Sequence, residues 1–322
     1  MLSSLSKYQK YAWFTLAYNI FVVLFGAFVR ATGSGAGCGA HWPLCNGVIF
    51  PRPERIETII EFSHRVTSGI TLILILVLVI WTWRTYTKGS LVRKTSAFAL
   101  FFTITEALVG AGLVLYKLVA YNDSAVRSFS VTVHLVNTFL LIAFLALTAW
   151  FATDKSPRIL KIQGLNSFLV IFGWCAMLFL GASGAITALG DTLFPSVSLA
   201  EGLQKDFSPT AHYLIRLRVY HPGIAISVGI YLTLVTLFFR RQFNNPRQHL
   251  LTNGLFILYF VQILIGIINV ALLAPVWIQI IHLLFSNLVW IFFVLLSSDI
   301  LSSLSPGLNH QEIHHPVHDI AG

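Results

Sequence analysis

Residues 248–298 carry no Asp, Glu, Lys or Arg. One membrane-crossing helix needs about 20 consecutive apolar residues, so this stretch holds two. Ala274-Pro275 is the natural break between them, because proline lacks an N–H and pushes the residue before it out of helical geometry. Six more runs are free of charge or nearly so: 11–29, 66–83, 95–115 (interrupted only by Glu106), 128–153, 162–190 and 219–239. The sequence therefore predicts an all-α integral membrane protein with eight transmembrane helices. Composition excludes the alternatives. Hydrophobic residues make up 56% of the 322 and charged residues 10%, against about 25% charged in soluble domains. Disorder needs the opposite balance, and three cysteines are too few for a disulfide-built scaffold.

The net charge of +9 reads as loop topology and not as affinity for nucleic acid. Lys7, Lys10, Arg84, Lys88, Arg93, Lys94, Lys155, Arg158, Lys161, Arg240, Arg241 and Arg247 fall on one side of the eight runs. The other side has longer connections of mixed charge, 33–60 and 191–217. The positive-inside rule puts both termini in the cytoplasm. The first run has full span length without a clear cleavage site, and no Arg/Ser-rich leader precedes it. The expectation is a retained first helix in a bacterial plasma membrane.

The chain repeats itself. Gly26-Ala27-Phe28-Val29 in the first span matches Gly184-Ala185-Ile186-Thr187 in the fifth, and Ala107-Leu108-Val109-Gly110 matches Ile263-Leu264-Ile265-Gly266. His64 pairs with His221 and His134 with His282, and the offsets run from 148 (His134 to His282) to 158 (Gly26 to Gly184). Four helices return a chain to its starting side. The expected architecture is two pseudo-symmetric four-helix bundles of equal orientation, residues 1–156 and 157–322.

The four repeated histidines lie at the outer ends of the even-numbered spans. Ionisable groups in membrane helices are costly and point to function, although a single one also serves as an interhelical hydrogen bond. Two imidazoles facing across a four-helix bundle form an axial ligand set for heme iron. A tetrahedral zinc site lacks the further Cys or carboxylate it would need. Each half thus offers one bis-histidine site, His64 with His134 and His221 with His282. Only the first half has an acid beside its first histidine, in Glu61-Phe62-Ser63-His64-Arg65. The second half reads Arg218-Val219-Tyr220-His221-Pro222. Spacing i, i+3 puts Glu61 and His64 on one helix face. Two readings stand for Glu61: chemistry at that site, or an ion pair with Arg65 or Arg30. Two also stand for Arg30, Arg65, Arg216 and Arg218: bidentate contact with heme propionates, or snorkelling to the interface. Glu106 aligns with Gln262 in the repeat and reads either as a proton carrier or as a hydrogen-bonded neutral group. The four tail histidines His310, His314, His315 and His318 read as a polar end.

Between the first two spans, residues 33–47 form a Gly-rich loop holding Cys38 and Cys45 on the oxidising side, where a disulfide is compatible with its surroundings. Zinc spacing is missing there. Cys175, in the fifth span, reads as packing.

Together these residues resemble the heme A synthase family over nearly the whole chain. The matching motifs are Gly26-Ala27-Phe28-Val29-Arg30-Ala31-Thr32-Gly33, Trp42-Pro43-Leu44-Cys45, Glu61-Phe62-Ser63-His64-Arg65, His134, Thr187-Ala188-Leu189-Gly190-Asp191-Thr192-Leu193-Phe194-Pro195, His221-Pro222 and His282. Some members carry a second cysteine pair before the sixth span, and residues 191–217 have none. The resemblance implies that a ring methyl of heme O is oxidised to the formyl of heme A for terminal oxidases. It implies substrate heme between His64 and His134, with Glu61 as catalytic acid. It implies heme b between His221 and His282, passing electrons. The partners implied are the lipid bilayer, heme O synthase, a membrane electron acceptor left unidentified, and a second copy in a homo-oligomer; nucleic acid is not among them. Two other classes share the histidine pairs: a di-heme quinol oxidoreductase, which needs no acid at one site, and a heme transporter or assembly factor without catalysis. Only the synthase makes formyl-heme.

Overall fold

In hydrocarbon every backbone N–H and C=O must be satisfied within its own segment, so apolar runs of span length become helices. The computed structural model describes residues 5–52, 55–153, 162, 164–242 and 246–303. Its helices are α1 (Lys7–Ala31), α2 (Ile56–Thr85), α3 (Leu91–Leu115), α4 (Ala125–Thr153), α5 (Gly164–Leu193), α6 (Leu199–Asp206), α7 (Tyr213–Arg218), α8 (Tyr220–Gln242), α9 (Pro246–Ala271) and α10 (Val276–Ser303). Eight helical stretches are long and apolar enough to cross a membrane, with α7 and α8 together forming one of them. Lys155, Arg158, Lys161 and the tail histidines lie outside the described residues.

The helices exceed the charge-free runs at the end opposite Lys7. α1 continues through Arg30, and α2 begins ten residues before the apolar run, taking in Glu61 and Arg65. Local chemistry sets several ends. Ser6 and Gln9 form a reciprocal cap at the start of α1: Gln9 N donates to Ser6 Oγ at 3.2 Å and Ser6 N donates to Gln9 Oε1 at 2.8 Å. The sixth span differs from the sequence expectation, because it is broken at Val219. Pro222 explains the break, since its ring opposes the carbonyl four residues back, at Arg218, and it brings no N–H. Helix α6 has no counterpart among the apolar runs. It is a two-turn outer-loop helix capped by Ser198, whose Oγ accepts from Glu201 N at 3.2 Å. Lys205 Nζ, 2.5 Å from Glu201 Oε1, holds that exposed carboxyl below its usual range.

Helix contacts close two rings: α1–α2–α3–α4, and α5–α8–α9–α10. The fourth helix of each ring is the innermost. In the most apolar stretch, 67% of α4 and 50% of α10 is buried, against 11–33% for the other spans. The two meet at a seam where Trp290 is wholly buried, its indole N–H donating to Phe139 O at 2.6 Å, and where Trp174 packs edge-on against it. The outer face has its own ties across the seam. Tyr213 of α7 reaches Ser128 Oγ at 2.7 Å and Asp123 O at 3.0 Å. The faces left open are studded with exposed Phe, Ile and Leu, as a lipid-facing surface requires.

Candidate functional site: four cradled histidines and a stapled loop

Each of the four span histidines rests on a glycine of the preceding span. An added Cβ on Gly26 of α1 would stand 3.0 Å from His64 Cε1, and one on Gly184 of α5 would stand 3.1 Å from His221 Cε1. On Gly266 of α9 it would stand 3.1 Å from His282 Cε1, and on Gly110 of α3 it would stand 3.8 Å from His134 Cε1. No side chain larger than hydrogen lets the first three rings sit where they do. Below three of the rings, a hydroxyl one turn on bonds the histidine's own carbonyl: Ser68, Thr138 and Ser286, at 2.7, 2.9 and 2.9 Å.

The rings come in pairs. His64 lies within electrostatic range of His134, and Glu106 is also in range of His64. His282 lies within range of His221. Phe25 meets the His64 ring edge-on at 5.6 Å. The second contacts of the rings differ. His221 Nδ1 is 2.8 Å from Ser183 Oγ. His282 Nε2 is 3.2 Å from the amide of Gln262. His134 Nδ1 is 3.3 Å from Glu106 Oε1. His64 Nδ1, His134 Nδ1 and His282 Nδ1 are buried without a well-aligned hydrogen bond.

These residues fit heme. A porphyrin supplies four nitrogens and asks the protein for only two axial ligands. The site gives paired imidazoles held in glycine cradles, with ring nitrogens left over. Among the described residues, no group of three or more His, Cys, Asp or Glu is placed to hold a bare metal ion.

Glu61 is buried, 3% exposed. Its Oε1 pairs with Arg65 Nη2 at 2.5 Å, and its Oε2 accepts the backbone N–H of Cys38 at 2.7 Å. Arg65 in turn donates to the carbonyls of His41 (2.6 Å) and Leu44 (2.5 Å). The pair therefore anchors both sides of the loop that the Cys38–Cys45 disulfide closes. Gly37 lets this loop lie on α2, since a Cβ there would fall 2.3 Å from the Glu57 carbonyl. Glu61 takes Arg65 as its partner and not Arg30. Cys175 is a free, exposed thiol on α5.

Arg30 crosses the molecule. Its guanidinium donates to Ala188 O and Thr192 Oγ1 of α5, each at 2.6 Å, and to Gln279 Oε1 of α10 at 3.0 Å. Arg218 pairs with Asp191 at 3.2 Å and with Asp206. Arg216 is exposed, with no side-chain partner among the described residues. Ser183, Asn137 and Thr138 were not singled out in the sequence. Their only signal there was position, Ser183 beside the repeated Gly184 and the other two within one turn of His134.

A family model described as "COX15-CtaA: Cytochrome oxidase assembly protein" matches residues 9–294. A protein of Thermus thermophilus called "Protoheme IX farnesyltransferase" is 50% identical over 96% of this chain and 50% of its own length. A "Heme A synthase" of Halalkalibacterium halodurans is 32% identical over 53% of this chain and 58% of its own, and one of Bacillus licheniformis is 48% identical over 30% and 32%. The chain spans about half the length of the first of these relatives, and the alignments to the other two cover smaller parts of it.

Proposed function

The chain belongs to the COX15-CtaA family, and on that premise we propose that it is a heme A synthase, oxidising a ring methyl of heme O to a formyl group. The observation that carries this reading is the two pairs of glycine-cradled histidines, of which, among the described residues, only His64 and His134 have a carboxylate beside them or one turn away. Residues 1–156 form the substrate unit and residues 157–322 the heme b unit, related as pseudo-symmetric four-helix bundles. The two closed helix rings and the four matching Gly–His contacts support that division.

In the first unit, His64 and His134 hold the substrate heme, and Gly26 and Gly110 leave their rings room. Glu61, one turn before His64, is the acid that takes and gives protons as the methyl is oxidised. Its contacts with Cys38 and Arg65 also keep the stapled loop over the outer end of the site. Arg216, which has no side-chain partner among the described residues, is the cation proposed for a heme carboxylate. Arg30, Arg65 and Arg218 reach one only by exchanging the protein acceptors they now hold. In the second unit, His221 and His282 hold heme b, which when bound supplies a one-electron relay towards the membrane electron acceptor. With water as the source of the formyl oxygen, methyl to formyl releases four electrons and four protons, and heme b would pass the electrons one at a time to the membrane acceptor.

The relative called a protoheme IX farnesyltransferase favours a farnesylated heme as substrate and a heme O synthase as partner. The clusters Lys7/Lys10, Arg84/Lys88/Arg93/Lys94 and Arg240/Arg241/Arg247 share one end of the helices, which supports cytoplasmic termini in a bacterial plasma membrane. The test is co-expression with a heme O source, heme extraction and mass analysis. Heme A is expected, and its absence alongside intact bound heme would favour an electron carrier instead.

A further inference from the structure

The two innermost helices set different groups beside their histidines. On α4, His134 Nδ1 is buried and lies 3.3 Å from Glu106 Oε1. That carboxylate is itself held in place: Asn137 Nδ2 donates to Oε2 at 2.6 Å, and the Thr138 hydroxyl donates to Oε1. Asn137 is fixed in turn by Thr105 Oγ1 at 2.7 Å and by its donation to Phe102 O at 2.9 Å. A small rotation of the imidazole shortens the contact to the 2.7–2.9 Å or so of a charge-assisted N–H···O bond. On α10, at the position the repeat aligns with Glu106, Gln262 Nε2 lies 3.2 Å from His282 Nε2 and 2.6 Å from Ser286 Oγ, while His282 Nδ1 is buried without an acceptor.

We infer that Glu106 is a positioning residue for His134, accepting its Nδ1–H and making it the stronger electron donor, a support that its repeat partner His282 lacks at Nδ1. This deepens the proposed function and rests on it. A ligating histidine whose other nitrogen gives its proton to a carboxylate is more basic and fixed in tautomer. A more basic axial ligand favours ferric iron, so heme held by His64 and His134 has a lower reduction potential than heme held by His221 and His282. Electrons taken from the substrate unit then run downhill to the second unit. Gln262 has no carboxylate charge and faces Nε2, the counterpart of the nitrogen that His134 leaves for iron, so it cannot play the same part.

The test is a redox titration with optical detection, and an EPR spectrum of the oxidised form, on full-length protein carrying both hemes. Glu106→Gln keeps the contacts with Asn137 and Thr138 but loses the carboxylate. It should raise the potential of the lower-potential heme, shift that heme's low-spin EPR signal and leave the other heme unchanged. Glu106→Asp keeps the charge but draws the carboxylate back from His134 Nδ1, so it should raise the same potential by less, and it serves if the first variant fails to fold. Unmoved potentials in either variant that folds, or a lower potential at the His221/His282 heme in the wild type, overturn the inference while leaving the proposed function intact. The heme reading is checked separately: His64→Ala must abolish the lower-potential heme.

Discussion

Replacing Gly184 by Ala adds one methyl group at a place where the structure allows none. The new Cβ would lie 3.1 Å from His221 Cε1, where ordinary contacts begin near 3.4 Å, so the ring must yield by a few tenths of an ångström. Overpacking of this kind costs about 1–3 kcal/mol. The cost falls on the ring and not on the helix, since alanine is favoured over glycine inside a helix by roughly 0.5–1 kcal/mol. The fold should therefore survive while the ligand moves. With about 1.4 kcal/mol per decade of affinity, heme b at His221/His282 should bind roughly 10- to 100-fold more weakly. Gly266→Ala should act alike, with its Cβ at 3.1 Å from His282, whereas Gly110→Ala, at 3.8 Å from His134, makes an ordinary contact and serves as the matched control. The assay is heme content per polypeptide by reduced-pyridine absorbance, followed by heme titration of the stripped protein. Wild-type heme affinity in Gly184→Ala, or equal damage in Gly110→Ala, refutes the cradle argument.

Three further outcomes are expected. Glu61→Gln should let heme O, or its partly oxidised alcohol, accumulate in extracted heme; a normal heme A yield rules out the acid role and leaves Glu61 as an anchor of the loop. Cys45→Ser opens a ring worth about 2.5 kcal/mol of loop entropy and should lower heme A yield while the heme b spectrum persists. Labelling denatured, unreduced wild type should then modify Cys175 alone, and modification of all three thiols would refute the staple. Arg218→Ala strands the half-buried Asp191 and Asp206 and should destabilise the protein by about 3 kcal/mol, read as a lower melting temperature in detergent; unchanged melting would show that the pairs contribute nothing.

The spans were legible because hydrocarbon tolerates only one backbone solution, and because lysines and arginines mark where each run stops. Even the break in the sixth span is written in Pro222. The repeat made the histidines and their glycines visible as matched positions. It did not reveal that glycine and histidine touch, since that depends on how each helix is rotated about its axis, which apolar residues on all sides leave unspecified. The partner of Glu61 was legible only as a choice, because Arg65 at i+4 on its own helix and Arg30 at the end of the neighbouring helix are both long enough to reach it. Contacts such as Cys38 N–H to Glu61, or Arg30 to Gln279, join residues that no local pattern relates. Helix α6 escaped notice because its signal is a serine cap and a Glu–Lys pair, not a hydrophobic run.

The reach of Arg30 has a consequence for how the protein is made. Synthesis delivers α1 before the helices it ties to, with a guanidinium that stays charged at every physiological pH. Its acceptors, Ala188, Thr192 and Gln279, are translated later, the last of them 249 positions downstream. Until then Arg30 has to stretch to the outer interface and bond water there. Two of these acceptors arrive with α5, and Gln279 completes the set with α10. The end of α1 is thus locked in stages, and a nascent chain halted before Gln279 leaves Arg30 one acceptor short however well α1–α4 are inserted.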